Sequence, residues 1–207
     1  SWFTQQPVMA EIRSRMPYTL TLGVLSTLIA TIISIPLGTL TAVKHNSLID
    51  YVVTFLCLLF SAMPGFWLGI LLQIYLSLQT GWFPAYGVKT IRHFVLPVIA
   101  ACAASVGTNI RSTRTWVLDV IRSDFVRTAR AKGASEVVVI LKHALRNALL
   151  PIITGLGAAF AGVLGGSVVI ETVFAIPGIS SYLTSAVKTR DMPIIMGCIL
   201  VISVFVG

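Results

Sequence analysis

In this chain of 207 residues, 56% of side chains are hydrophobic and only 11% are charged, whereas a soluble domain carries roughly 25% charge. Mean hydropathy is +0.92, which excludes an ordinary soluble domain and fits an integral membrane protein. The formal charge of +8 does not point to nucleic acid, because the basic residues lie in short connections between apolar runs, the usual pattern of a cytoplasmic face.

Residues 1–15 are expected to form an external N-terminal segment, ahead of a transmembrane domain over 16–207. The chain starts at Ser1 and stops at Gly207 inside an apolar run, so both ends read as cut. The charge-free run 16–43 can cross about 30 Å of hydrocarbon with tilt, and Pro36-Leu37-Gly38 suggests a kink or fray near its end. A polar loop, Lys44-His45-Asn46-Ser47, and then Asp50 follow. The run 51–88 is too long for one straight span. Met63-Pro64-Gly65 is expected to break or kink it, giving either one bent span over about 49–78 or a re-entrant pair. Gly81-Trp82-Phe83-Pro84-Ala85-Tyr86-Gly87 reads as an interfacial loop with aromatic anchors.

A third span is expected over 94–112 and a fourth over 148–171. The fourth carries Gly155, Gly157, Gly162, Gly165 and Gly166 with Ala158, Ala159 and Ala161. Such spacing lets helices approach closely, whether within the chain, between subunits or along a pathway. Residues 172–192 read as a loop with Pro177-Gly178 and a short amphipathic piece, and a fifth span begins near Pro193. Long apolar runs without ten-residue alternation predict an all-α, polytopic transmembrane helical bundle of five spans.

Lys44 and the eight basic residues of 111–146 fall on one side of the membrane, against six on the other. That bias places 44–50 and 111–147 in the cytoplasm, with the N-terminal tail, 79–92 and 172–192 outside. No GxxxxGK[ST] occurs, so no nucleotide site of that kind is expected in this chain. Ser, His and Asp are scattered among loops on opposite sides, so no catalytic residue is assigned. His45, His93 and His143 stand in different loops, and no metal site is expected. Cys57, Cys102 and Cys198 read as small buried hydrophobes. The spans carry no ionisable group at depth, where a proton-coupled carrier generally needs one. Glu171 sits at the outer end of the fourth span, where it can face water. Energy then comes from outside these helices, or transport is passive.

Residues 124–136 read as two short helices meeting at Gly133, with Ser135 as a new N-cap and the second helix, 137–150, ended by Pro151. Small Ala129, Ala131 and Ala134 would allow close approach of a partner, and Arg127, Arg130 and Lys132 offer charge-assisted contacts. The competing reading is a loop that binds lipid headgroups. Asn109 and Gln73 could line a pathway or bond a neighbouring helix.

Arg-Thr-Ala-Arg-Ala-Lys-Gly at 127–133, followed by His143-Ala144-Leu145-Arg146-Asn147-Ala148-Leu149-Leu150-Pro151, closely resembles the cytoplasmic signature of ABC-importer permeases of the dipeptide/oligopeptide/nickel group. Further matches are Pro64-Gly65-Phe66-Trp67-Leu68, Leu96-Pro97, Glu171-Thr172-Val173-Phe174-Ala175-Ile176-Pro177-Gly178 and Arg190-Asp191-Met192-Pro193. The general importer pattern begins Glu-Ala-Ala. Here Thr128-Ala129-Arg130-Ala131 and a longer Gly-to-Pro spacing agree with the peptide/nickel subgroup.

The resemblance implies a type I importer permease fold of six spans, one before Ser1 and one completed after Gly207. It implies a cytoplasmic (inner) membrane location, a heterodimer with a second homologous permease, two ATPase subunits that hold ATP and Mg2+, an extracytoplasmic substrate-binding protein, and no cofactor on this chain. Asp124, Phe125, Arg127, Thr128, Ala129, Arg130, Ala131, Lys132, Gly133, Ala134, Ser135 and Glu136 become the ATPase-coupling segment, followed by the motif residues His143, Arg146, Asn147 and Pro151. Glu171, Phe174, Pro177, Gly178 and Asp191 become an external loop or gate, in which Glu171 and Asp191 either meet a cationic substrate or hold the loop. The expected cargo is short peptides, with nickel or a nickel chelate as the alternative and a passive channel as the distant one.

Overall fold

The computed structural model describes residues 1, 5 and 7–206, with backbone alone at Ala104 and Val206. Trp2, Phe3, Thr4 and Gln6 of the expected N-terminal segment, and Gly207, lie outside the described residues. The described chain is helical and contains no strand. Helix α1 spans Val8–Val43, α2 Leu48–Ala62, α3 Gly65–Leu72, α4 Arg92–Ile121, α5 Asp124–Ala131, α6 Glu136–Val138, α7 Arg146–Val173, α8 Ile179–Thr189 and α9 Met192–Val206. Two π-helical stretches intervene, Gln73–Gln79 after α3 and Val139–Leu145 before α7.

These helices coincide with the five expected apolar segments. Val8–Val43 and Glu136–Val173 are each long and apolar enough to cross a membrane. Two bent pairs, Leu48–Ala62 with Gly65–Gln79 and Arg92–Ala103 with Ser105–Ile121, would bring the number to four if each is one span, and Met192–Phe205 is a shorter apolar helix. Leu48, Phe55 and Val204 are 78%, 65% and 81% exposed. Water would punish so much bare apolar surface, whereas lipid tails solvate it.

The chain divides into two compact units. The first comprises Ser1–Leu28, Met63–Cys102 and Ala158–Gly207. Its main core packs Leu22, Phe94, Leu96, Ile170, Phe174 and Ile176, and a second cluster joins Ile12 to Ile179, Ala186, Ile194 and Cys198. The expected interfacial loop lies here. Gly87 N–H donates to the Phe174 carbonyl, and Trp82 and Tyr86 remain exposed. The second unit comprises Ile29–Ala62 and Ala103–Gly157, and its core is Ala42, Val117, Ala148 and Ile152.

Two expectations about helix ends need correction. No fray follows Pro36, because the helix continues to Val43. Beyond the third expected span α4 runs on as helix to Ile121. Pro151 does not close the second helix, because α7 passes through it. A proline inside a helix costs about 3 kcal/mol, and the fully buried neighbours Ala148 and Ile152 anchor that turn against the loss. The break at Met63-Pro64 falls as expected, between the end of α2 and the start of α3. The three cysteines are buried and form no disulfide.

Candidate functional site

The basic segment is folded into a knob. Ser123 is extended, with φ −72 and ψ 155, and its hydroxyl turns back to the Val120 carbonyl at 2.6 Å rather than capping α5. Asp124 stands in the first turn, where a negative charge suits the helix dipole. Val126 and Ala129 face inward against Val139, with Ala134 packed alongside. Phe125, Arg127, Thr128 and Lys132 face outward.

The helix ends in a glycine turn. Gly133 has φ +81, its N–H bonds the Arg130 carbonyl at 2.9 Å, and Ala134 N–H reaches back to the Ala129 carbonyl at 3.3 Å. Those two bonds and the Ala129–Ala134 contact make a Schellman closure, which favours glycine at the left-handed position. A Cβ on Gly133 would meet nothing within 4 Å. Glycine is favoured here by the backbone angle rather than by crowding at the Cβ position.

Ser135 follows in extended conformation, and α6 begins at Glu136, without a side-chain cap from Ser135. Arg130 Nε and Nη2 donate to the two Glu136 carboxylate oxygens at 2.8 and 3.2 Å, clasping the turn. That carboxylate pushes the Arg130 guanidinium pKa above its ordinary value. Arg127 lies 3.5 Å from Asp124. Two of the three cations expected to face a partner are therefore beside carboxylates of the chain itself, and Ala129 and Ala134 serve the knob's own packing. Ala131 alone of the three alanines is exposed. Beyond the knob, Val137, Val138 and Leu141 form an exposed apolar face. Asn147 Nδ2 donates to the His143 carbonyl at 2.6 Å, fastening the π stretch to α7, while Arg146 is exposed.

The second expected set occupies another place and has a different character. Glu171 is 0% exposed, so it does not face water. Its carboxylate accepts hydrogen bonds from Thr19 Oγ1 at 2.7 Å and Ser181 N–H at 2.7 Å, with Ser167 Oγ at 3.2 Å. Thr19 in turn accepts Ile179 N–H at 2.9 Å. The Ile179 and Ser181 N–H groups belong to the first turn of α8, where unpaired N–H groups favour an anion, whereas Thr19 stands on α1 and Ser167 on α7. Gly178 lies against this carboxylate so closely that any Cβ would overlap it. Phe174 is part of the core, Pro177 is half-buried, and Asp191 is buried just after the turn that Arg190 closes at φ +57. The set is a buried node, which supports the loop-holding alternative over contact with a cationic substrate.

Gln73 bonds the Ala85 and Val173 carbonyls, both at 3.0 Å, and so ties a loop down. Asn109 Nδ2 is buried without a hydrogen-bond partner. Sequence reading missed one cluster. Asp50 receives Arg114 Nε and Nη2, each at 2.7 Å, with His45 Nδ1 at 3.0 Å from the same guanidinium. Its only signal was a single acid between the 16–43 and 51–88 runs, opposite a basic stretch.

Long apolar helices, a small polar node and a clasped basic knob define a multi-pass helical membrane subunit. Residues 34–207 match the family described as binding-protein-dependent transport system inner membrane component, and the chain belongs to that family. It is 42% identical to the oligopeptide transport system permease protein AppB of Bacillus subtilis, over 97% of this chain and 66% of that protein. It is 35% identical to the dipeptide transport system permease protein DppB of Alkalihalophilus pseudofirmus, over 97% of this chain and 68% of the relative. It is 39% identical to the glutathione transport system permease protein GsiC of Salmonella typhi, over 98% and 66% respectively. The chain thus spans about two thirds of the length of the curated relatives it matches.

Proposed function

We propose that the whole protein is a transmembrane permease subunit of an ATP-driven importer of short peptides in the cytoplasmic membrane of a bacterium or archaeon. The chain itself is not an enzyme. ATP and Mg2+ belong to two partner ATPase subunits, a second homologous permease completes the pathway, and an extracytoplasmic binding protein delivers the cargo. The observation that carries this reading is the knob. Its interior is closed by Val126, Ala129 and Val139 and by the Schellman turn, so Phe125, Thr128 and Lys132, with the exposed Arg127–Asp124 pair, are left for a groove on a partner. The peptide cargo is supported by the oligopeptide, dipeptide and glutathione systems of the relatives.

In this mechanism the knob docks in an ATPase subunit on the cytoplasmic side. ATP binding closes the ATPase pair and drags the knob, α4 and α7 carry that displacement into the membrane, and the pathway opens outward to the loaded binding protein. Hydrolysis resets it. The test is Gly133→Trp in the assembled transporter, read as peptide uptake and as copurification of the ATPase. Both are expected to fall, and full uptake by this variant would sink the docking mechanism.

A further inference from the structure

The carboxylate of Asp50 is 3% exposed in the first turn of α2. Besides the two bonds from Arg114 it accepts Asn46 N–H at 3.0 Å, from a residue held at φ +58. A two-pronged guanidinium–carboxylate bond fixes angle as well as distance. Removing one member of a buried pair leaves the other charge bare.

A second contact lies seven residues away on each helix. A Cβ on Gly107 would stand 2.6 Å from the Cys57 carbonyl oxygen and 2.6 Å from Ser61 Oγ. Moving from 50 to 57 along α2 corresponds to moving from 114 back to 107 along α4, so the two helices run antiparallel in contact over about two turns. Close apolar contact in lipid can slide, because lipid tails are as apolar as the side chains. A two-pronged ion pair would fix the register. From Arg114, α4 continues seven residues to Ile121, and only Arg122 and Ser123 separate it from α5.

We propose that the Asp50–Arg114 pair is a strut that makes α2 move with α4 when the knob is displaced, so that both are positioning residues for coupling. This rests on the docking function proposed above. The experiment uses the full transporter, assembled with its ATPase subunits, second permease and binding protein in proteoliposomes, and measures uptake of a labelled short-peptide mixture per ATP hydrolysed. Asp50→Asn and Arg114→Met are expected to lower that ratio about tenfold, within the range one link in a coupled network produces. The exchanged pair, Asp50→Arg with Arg114→Asp, is expected to recover most of it. Gly133→Trp is measured alongside. If Gly133→Trp lowers the ratio and the two single variants keep it, the strut is overturned and docking stands; if Gly133→Trp also keeps it, docking falls and the strut with it. Should the single variants fail to accumulate, Arg114→Lys keeps the charge and loses the fork. A lowered ratio in Arg114→Lys supports the strut, and a normal ratio, or failure of this variant to accumulate, overturns it.

Discussion

Glu171 shows what one buried carboxylate does when its partners are donors rather than cations. Each N–H or O–H left without an acceptor inside the fold costs about 1–3 kcal/mol. Glu171→Ala strips the acceptor from Thr19 and Ser181 and is expected to lower the thermal stability of the detergent-purified protein clearly. Glu171→Gln, with one oxygen retained, should lower it less. Melting curves that rank the two the other way would show that the retained acceptor does not set the cost of the substitution. Gly178→Ala is expected to resemble Glu171→Ala, since its methyl would occupy carboxylate space. At Gly133 the reason differs, because the left-handed angle costs an L-residue roughly 1–2 kcal/mol. Gly133→Asn, which tolerates that region, should therefore keep more ATPase binding than Gly133→Val in a copurification assay.

At the level of elements, the knob should stand or fall as a unit. Val126→Asp places a charge in its sealed interior with no partner. It is expected to open the knob while the long helices persist, so that trypsin cuts after Arg127, Arg130 and Lys132 faster than in the parent chain. Equal cutting rates would mean the interior contributes nothing. The helices were legible because a charge-free run of membrane length leaves the backbone few alternatives. Gly133 and the Pro64 break were legible because glycine and proline restrict backbone angles locally. The Asp50–Arg114 pair was not, since its members stand 64 residues apart in the chain. Nor was the burial of Glu171, whose donors come from Thr19 and the 180s, as no local pattern reveals a contact made by folding. Pro151 misled for the opposite reason: a strong local rule was overridden by the packing of Ala148 and Ile152.

For the whole molecule, the small-residue face of α7 divides. Gly155 meets the Trp116 ring, whereas a Cβ on Gly162 or Gly166 would meet nothing within 4 Å. Gly162→Leu and Gly166→Leu are therefore expected to shift the stability of the isolated subunit by no more than about 0.5 kcal/mol, as for substitutions that touch nothing. The same variants should reduce copurification of the second permease. A large drop in subunit stability would instead mean the face is covered within the chain.

The π-helical stretch Val139–Leu145 lies between the knob and α7. Each N–H there pairs one carbonyl further back than in an α-helix. If that ladder slips by one carbonyl, the helix stays hydrogen-bonded while the face α7 presents after Arg146 turns with respect to the knob. Under such a slip, these seven residues would be the place where pulling at one end becomes twisting at the other.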